Sequence, residues 1–512
     1  MARKSAFMTG GSLANVLVGV GFQLLLAQQL GVSEVSDRYF LGTMAPTLIA
    51  TILIGSAPSV LVPSILAKNQ PKVSLADYYL PTLMLSVPVV LLFVLQPHIS
   101  SLFTDDQPQQ LTSVARTCLL ACPLAWFASI FQSISIARER FIVVGLSGAV
   151  NGAALLLTAV VYFSMGISSQ RLAICFVVGY AVQAAVQLIA VRSDVEIKNR
   201  QQATELDGRR ALSTNSDAKQ KSLTRNIAIL FSSAILYKSQ PLVERSLSSI
   251  FDGGPSIIAY GEKITQAALL ASTLGLALIS LPQISKAVAA GKIEEGRALS
   301  ASVATYVAGF AAPFTVVGFL HSREIVRILY LRGAFDPADV ESVSALIRVA
   351  MVGVAFSAVA GPLVNFQYAT GHYGRAAATS IGTTSLGIAA SVLFRPTYGL
   401  PGVVAGGVLT LLLTYAIFSY YTVGNNLARL TLLHAQIVSI FCVTIVGASL
   451  ISMAGEWAFP ALSSSIVQSM LVTTVTMATA AACSAAVVWL IRGSSTIDAI
   501  DDVPKTKATV GE

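Results

Sequence analysis

The feature that most constrains the fold is a series of long apolar runs separated by short polar breaks. A helix that crosses a bilayer needs about 20 mostly apolar residues. Charged residues make up only 11% of the chain, against about 25% in soluble domains, so the chain is predicted to be an integral membrane protein. We expect an all-α polytopic protein with about fourteen transmembrane helices, at roughly 9–30, 38–66, 77–96, 111–136, 141–165, 171–191, 224–247, 256–283, 299–320, 342–369, 376–394, 401–423, 435–454 and 467–491.

The loops between these runs predict an orientation. Lys and Arg concentrate in alternate loops, such as "AKNQPK", "RER", "SKAVAAGKIEEGR" and "GHYGR", whereas "QPHISSLFTDDQPQQ" and "FDGGP" have almost none. This is the positive-inside pattern, which places both termini in the cytoplasm. The net charge of +8 follows from these loops, so no nucleic-acid partner is implied. The 321–341 loop departs from the pattern, with Arg323, Arg327 and Arg332.

A polar stretch and a faint internal repeat divide the chain. Residues 192–223 are charged and lack apolar periodicity, which indicates a cytoplasmic linker after six spans. "VLVPSILAK" (60–68) resembles "LISLPQISK" (278–286), and Phe103 precedes Arg116 by the same thirteen residues that separate Phe335 from Arg348. Since each half holds an even number of spans, the repeat would be parallel, related by an axis normal to the membrane.

The repeat predicts two six-helix lobes around a central cavity, with two additional C-terminal helices. The boundaries are an N-terminal lobe at 1–191, the linker at 192–223, a C-terminal lobe at 224–425, spans 13 and 14 at 426–491 and a cytoplasmic tail at 492–512.

Charged residues inside the spans are the candidate functional residues, because a charge at membrane depth is costly and usually faces protein or water. One interpretation places Glu244, Arg245 and Glu262 at the outer interface, paired across the hairpin between the seventh and eighth spans. For Lys238 and Lys263, further from a span end, we favour a water-filled cavity. A cation in a cavity implies an anionic partner, and the chain has no cofactor motif, so the substrate is the natural candidate.

The 321–341 loop carries local signals for a helix–turn–helix. "REIVRILYLRGAF" alternates apolar and cationic residues at helical spacing, and Gly333 can adopt the left-handed conformation that ends a helix. Asp336, Pro337 and Asp339 then predict the start of another helix, as N-cap, first residue and first-turn acid. We interpret the loop as a surface element that seals one end of the lobe, with contact to a lipid headgroup as the alternative.

Four stretches resemble the MurJ-type (MviN-type) lipid II flippases of the multidrug/oligosaccharidyl-lipid/polysaccharide exporter superfamily. They are the segment 30–68, beginning "LGVSEVSDRYFLGTMAP", and the motifs "LVERSLSS" (242–249), "SIIAYGEKI" (256–264) and "LRGAFDPAD" (331–339). The similarity as a whole runs from about residue 5 to 425 and is weakest in the linker. The resemblance implies fourteen helices, a central cationic cavity, no ATP site, and transport of undecaprenyl-diphosphate-linked sugars across the bacterial cytoplasmic membrane.

Two residues match positions of that family directly. Asp37 fits the acidic position at the start of span 2, and Lys263 fits a cavity arginine of span 8. The first lobe departs from the family pattern, since residues without charge stand where relatives usually carry arginines. These are Val16, Phe22, Ala50 and Thr51.

The expected function is therefore a flippase that moves lipid II or a related carrier-linked glycan to the outer leaflet by alternating access. Substrate contacts are expected at Lys238, Lys263, Asp37, Glu244, Arg245 and Glu262. The chain has no Walker A motif and no nucleophile–base pair in its spans, so we expect neither enzyme activity nor a cofactor. Expected partners are the lipid-linked glycan, membrane lipids and glycan-synthesis proteins of the cell envelope. The alternatives are an exporter of exopolysaccharide repeat-unit lipids, an ion-coupled drug exporter and a non-transporting scaffold.

Overall fold

The computed structural model of the chain describes ten stretches of residues. They are 2–68, 73–74, 79–101, 108–138, 140–166, 168–196, 238–273, 276–424, 426–458 and 466–493. Residues 494–512 of the predicted tail, nearly all of the predicted linker and the first part of the predicted seventh span lie outside them.

The described residues are almost entirely helical, and the helices are numbered here in chain order. The first seven are α1 Ala2–Leu30, α2 Glu34–Lys68, α3 Tyr79–Ser100, α4 Pro108–Leu119, α5 Ala121–Ala137, α6 Phe141–Ser164 and α7 Ser169–Val191. The next five are α8 at 238–248, α9 Gly254–Thr273, α10 Leu276–Ala289, α11 Ile293–Leu320 and α12 Ser322–Tyr330. The last four are α13 Pro337–Ala369, α14 Tyr373–Val423, α15 Leu427–Ala458 and α16 Ile466–Gly493.

Nine helical segments within the described part of the chain are long and apolar enough to cross a membrane, and two shorter apolar helices accompany them. This confirms the prediction of an all-α polytopic membrane protein. The shorter helices, Ala14–Leu30 and Val89–Ser100, fall in the first and third predicted spans. The 51 residues of α14 contain two predicted spans. A kink separates them at Gly399, which lies between Pro396 and Pro401 and has a non-helical φ of 61°.

One small piece of sheet was not predicted. Val73–Ser74 (β1) pairs in parallel with Val195–Glu196 (β2), so that Val73 lies opposite Val195. The pair joins the connection after α2 to the first residues after α7, which the sequence analysis assigned to the linker. Two residues on each side carry no periodicity that could have revealed the strands in advance.

Contacts between Cα atoms group the chain into two compact units that interleave along the sequence. One comprises Met1–Ala267, Val326–Ala350 and Tyr373–Thr410, and the other comprises Ala268–Ile325, Met351–His372 and Leu411–Glu512. This division does not test the predicted lobe boundaries, which remain predictions.

In the first unit, a buried cluster between α2, α5 and α7 includes Leu53, Trp126 and Val191. In the second unit, small residues let helices approach closely, as expected where lipid and side chains are equally apolar. A methyl group on Gly309 of α11 would lie 2.6 Å from Val488 Cγ2 of α16.

Candidate functional site

The α8–α9 hairpin brings together charged residues that the sequence places inside spans. The guanidinium of Arg245, on α8, donates from Nη2 to Glu262 Oε2 on α9, and the two groups form a salt bridge. Their side chains are 13% and 23% exposed, so the pair is largely but not fully buried. The predicted pairing across the hairpin is confirmed for Arg245 and Glu262, whereas Glu244 bonds within its own helix. The predicted location at the outer interface stays a prediction.

Glu262 is held at both carboxylate oxygens. Oε1 accepts a hydrogen bond from Gln266 Nε2 at 2.7 Å, one turn further along α9. The other end of the same amide, Gln266 Oε1, accepts from Lys263 Nζ at 3.3 Å. Gln266 therefore links Glu262 to half-buried Lys263. Sequence analysis missed Gln266, although its i,i+4 spacing from Glu262 is a helical signal for such a bond.

Lys238 and Glu244 are the other charged residues of α8. Lys238 is exposed and lies within electrostatic range of Glu262. Glu244 Oε1 accepts a hydrogen bond from Gln240 Nε2 at 3.1 Å, and the same oxygen packs against Gly407 of α14, where a methyl group would overlap it. Neither Gln240 nor Gly407 was singled out from the sequence. The small size of Gly407 makes room for the carboxylate.

The α8–α9 charge cluster, defined as Lys238, Glu244, Arg245, Glu262 and Lys263, has one positive charge in excess. Arg245 also keeps a buried Nε that finds no hydrogen-bond acceptor among the described residues. Such groups in an apolar bundle are expected to face an interior or a water-filled space. The arrangement can offer a cationic surface and at least one unused N–H donor to an anion.

Asp37, the remaining candidate residue, makes a different set of contacts. Its carboxylate Oδ1 accepts from the backbone N–H of Ser256 at 2.9 Å and from the Ser256 hydroxyl. Ser36 Oγ lies 2.8 Å from Ser256 Oγ. Because α9 begins at Gly254, Ser256 belongs to the first turn, whose N–H groups have no partner within the helix. Asp37 of α2 thus caps α9, where the helix dipole also favours a negative charge.

Two further contacts bind the α1–α2 turn to elements far along the chain. The Tyr260 hydroxyl donates to Gly31 O at 3.0 Å, and Ala334 N donates to Gln28 O at 2.9 Å. We call these contacts, with those of Asp37 and Ser256, the Asp37 latch. Glycine is required at Gly333, where φ is 64° and a methyl group would overlap the Gln28 carbonyl.

An aromatic cluster lies directly behind the latch. The ring of Tyr260 contacts those of Phe40, Tyr330 and Phe335, with centroids 5.2 to 5.7 Å apart. Tyr260 and Tyr330 are fully buried, and Tyr330 also donates its hydroxyl to Tyr260 O at 3.3 Å. These contacts give the latch a rigid apolar support.

The turn between α12 and α13 has the predicted form. Gly333 has positive φ, and α13 begins at Pro337. The backbone N–H of Asp339 donates to Asp336 Oδ1 at 2.8 Å, and that of Asp336 donates to Asp339 Oδ2 at 3.1 Å. This reciprocal cap confirms the helix start. Contact of the α12 arginines with a headgroup stays a prediction.

Comparison with known proteins places these features in one family. The family model described as "Lipid II flippase MurJ" matches residues 26–481 of the chain. The chain belongs to the MurJ lipid II flippase family. The match takes in α2 through most of α16, and it includes both the α8–α9 charge cluster and Asp37 with its partners.

Curated MurJ relatives align over a limited stretch. The probable lipid II flippase MurJ of Rickettsia prowazekii (strain Madrid E) is 27% identical over 129 residues, which is 25% of this chain and 25% of the relative. That of Rhizobium tropici is 23% identical over 113 residues, covering 22% of this chain and 21% of the relative. The aligned part thus spans about a quarter of these relatives.

Solved structures show the same fold. A lipid II flippase MurJ in an inward closed conformation superposes with a TM-score of 0.71 at 15% identity, covering 92% of this chain and 97% of that one. An inward-facing multidrug resistance MATE family transporter gives a TM-score of 0.56 at 14% identity, covering 84% and 95%. At these identities the likeness shows fold alone.

Four positions of this MurJ family member carry uncharged residues where first-lobe arginines are expected, and these positions differ in burial. Phe22 is 7% exposed and packs its ring edge-on against Tyr39, with centroids 6.1 Å apart. Ala50 is fully buried in the cluster between α2, α5 and α7. Val16 is half-buried and Thr51 is exposed. Phe22 and Ala50 therefore serve as packed core in this chain.

Proposed function

We propose that the chain is a flippase that moves an undecaprenyl-diphosphate-linked glycan from the inner to the outer leaflet of the bacterial cytoplasmic membrane. The observation that carries the proposal is the α8–α9 charge cluster, a group of charges with excess cations on the hairpin between the predicted seventh and eighth spans of a MurJ family member. An ionisable residue inside a membrane span is by default a candidate for a substrate or ion pathway. A diphosphate is an anion of the kind these cations would attract.

The physical task explains why such a protein is needed. Sugars and a diphosphate cannot cross hydrocarbon unaided, because each unsatisfied polar group costs several kcal/mol there. Two lobes that rock about a cavity would expose the headgroup first to one side and then to the other, while the lipid tail stays in the bilayer. Lys263 and Lys238 would attract the diphosphate as point charges, and Arg245 would add donors.

The Asp37 latch supports the alternating-access part of the proposal. In the predicted orientation, the α1–α2 turn, the start of α9 and the α12–α13 turn all lie on the outer side. The latch hydrogen bonds would then close the outer end of these elements and would break when the headgroup leaves. Asp37 would act as a positioning residue of this closure rather than as a substrate contact.

The driving force would come from outside the chain. The sequence contains no Walker A motif, and the membrane potential is worth about 2.3 kcal/mol per charge per 100 mV. A substrate with charged phosphates is sensitive to that potential, as is any ion that moves with it.

Complementation tests the proposal. The chain is expressed in bacteria depleted of their own lipid II flippase, beside Lys263→Ala and the matched control Lys292→Ala. Lys292 is a lysine on the exposed start of α11, where it pairs with Glu295. We expect growth with the wild type and the control, and no growth with Lys263→Ala. Lack of growth with a well-inserted wild type would overturn transport of lipid II.

A second candidate substrate is the lipid-linked repeat unit of an exopolysaccharide. The observation that favours it is the packing of Phe22 and Ala50 as core, at positions where arginines of relatives are expected. Export of such a unit would restore polysaccharide in a strain that lacks its own exporter. A scaffold role beside glycan-synthesis proteins would leave both strains unrescued. The MATE-like fold alone gives no support to drug export.

A further inference from the structure

Glu262 occupies the place where an anionic headgroup would be expected to bind. Its Oε2 accepts from Arg245 Nη2, and its Oε1 accepts from Gln266 Nε2. The strongest donor of the hairpin is thus engaged by a carboxylate of the chain itself. An incoming anion that is to take the place of Glu262 at Arg245 Nη2 must displace that carboxylate.

We propose that Glu262 is a built-in counter-anion that sets the minimum charge of the headgroup which the α8–α9 charge cluster accepts. It would keep the singly charged phosphodiesters of ordinary phospholipids from binding, while a doubly charged diphosphate diester could still bind. The inference rests on the proposed function, since it takes this cluster to be the anion site.

The charges of the cluster give the physical reason. A phosphodiester carries one negative charge, so its exchange with the Glu262 carboxylate at Arg245 replaces one monoanion by another. Such an exchange gains no net Coulomb energy and costs the ordering of the ligand. A diphosphate diester brings a second charge, which half-buried Lys263 can meet. Only the doubly charged headgroup therefore gains from opening the salt bridge.

Gln266 makes displacement possible without leaving polar groups unpaired. Its amide donates to Glu262 and accepts from Lys263, and its side chain is exposed. When the carboxylate moves away, the Gln266 N–H and the Lys263 ammonium become available on the same face of α9. The buried Nε of Arg245, which has no acceptor within the described stretches, adds a third donor.

A purely structural ion pair explains the geometry less well. Pairs of this kind inside proteins often contribute little stability compared with apolar residues of the same size. This one stays partly accessible, with Glu262 23% and Arg245 13% exposed. Accessibility is what a displaceable counter-anion requires.

The test measures how purified protein in nanodiscs binds two matched probes, farnesyl methyl diphosphate and farnesyl methyl phosphate. They differ by one phosphate and about one charge. We expect the wild type to prefer the diphosphate by about tenfold or more. Glu262→Gln keeps the shape of the side chain and removes its charge, so it should tighten binding of both probes about tenfold and bring the monophosphate to about the affinity that the diphosphate has for the wild type.

Two further variants make the result decisive. Glu262→Asp keeps the carboxylate and should keep the weak monophosphate binding of the wild type. Glu294→Gln removes an exposed carboxylate that pairs with Arg297 and Arg429, and it should behave as wild type. Unchanged affinity for the monophosphate in Glu262→Gln, weaker binding of either probe by that variant, or a wild type that binds neither probe would overturn the inference.

The complementation experiment separates this inference from the proposed function. If Glu262→Gln gains monophosphate binding but the wild type rescues no strain, the charge threshold stands and the transport proposal fails. If the wild type rescues growth and the monophosphate binds Glu262→Gln no more tightly than the wild type, the threshold fails and transport stands.

Discussion

Asp37 and Ser256 lie 219 positions apart, and the Asp37 carboxylate accepts the Ser256 backbone N–H at 2.9 Å. A helix cap is usually supplied by the residue that precedes the helix. Here the cap of α9 comes from the start of α2, so its loss would both weaken a helix end and release two elements from each other.

We therefore expect Asp37→Ala to open the latch. Loss of a cap costs about 1 kcal/mol, which is about a fivefold change in a two-state population. The measurement is the maleimide labelling rate of Val32→Cys, in a background whose five native cysteines are replaced. Val32 packs against Gly253 at the latch, so its thiol should react about five times faster in Asp37→Ala.

Asp336→Ala is the matched control. It also removes a carboxylate cap, but its bond to the Asp339 backbone lies within a single turn. A labelling rate that rises as much in Asp336→Ala as in Asp37→Ala would show that general loosening, not the latch, controls access.

Local patterns in the sequence predicted local structure well. Gly333, Asp336, Pro337 and Asp339 carry their turn and cap signals within seven residues, and the structure has that turn and cap. The pairing of Arg245 with Glu262 could also be predicted, because a short turn joins the two helices.

Contacts between distant segments could not be predicted in the same way. Nothing near Asp37 in the sequence identifies Ser256 as its partner, and nothing near Glu244 identifies Gly407. Such pairs depend on how whole helices pack, which apolar periodicity leaves open when a helix is apolar on all sides. The substrate roles of the six candidate residues remain predictions.

A second prediction concerns the close approach of two turns. Gly333→Ala would place a methyl group on the Gln28 carbonyl in addition to forcing alanine into a left-handed conformation. Gly371→Ala isolates the conformational cost, because Gly371 has φ of 76° and open space around it. We expect Gly371→Ala to cost about 1 kcal/mol and Gly333→Ala at least about 3 kcal/mol.

The apparent unfolding temperature in detergent compares these two variants. Gly333→Ala should unfold at a clearly lower temperature than Gly371→Ala. Equal temperatures would mean that the α1–α2 turn can move away from the α12–α13 turn at no cost, which would argue against a rigid latch.

A third prediction concerns the missing first-lobe cations. Arginine at Ala50 would bury a charge in the apolar cluster between α2, α5 and α7, whereas the neighbouring Thr51 is exposed. We expect that Ala50→Arg will not give a monodisperse protein after purification, because an unpaired buried charge costs several kcal/mol. Thr51→Arg should remain folded, since its long side chain can reach a polar region. Size-exclusion chromatography of both variants measures this, and similar profiles would contradict the assigned core.

The fourth prediction concerns the energy of the Arg245–Glu262 pair. Removal of one partner leaves a largely buried charge alone, so Arg245→Ala and Glu262→Ala should each destabilise the protein by about 2 kcal/mol or more. The double variant should cost clearly less than the sum, because neither charge is then left without its partner. A double-mutant cycle of thermal stability measures the coupling.

The exposed pair of Glu294 and Arg429, at 3.4 Å, is the matched control and should show coupling below about 0.5 kcal/mol. If the two cycles give equal coupling, water screens Arg245 and Glu262 as fully as a surface pair, and the α8–α9 hairpin does not shelter its charges.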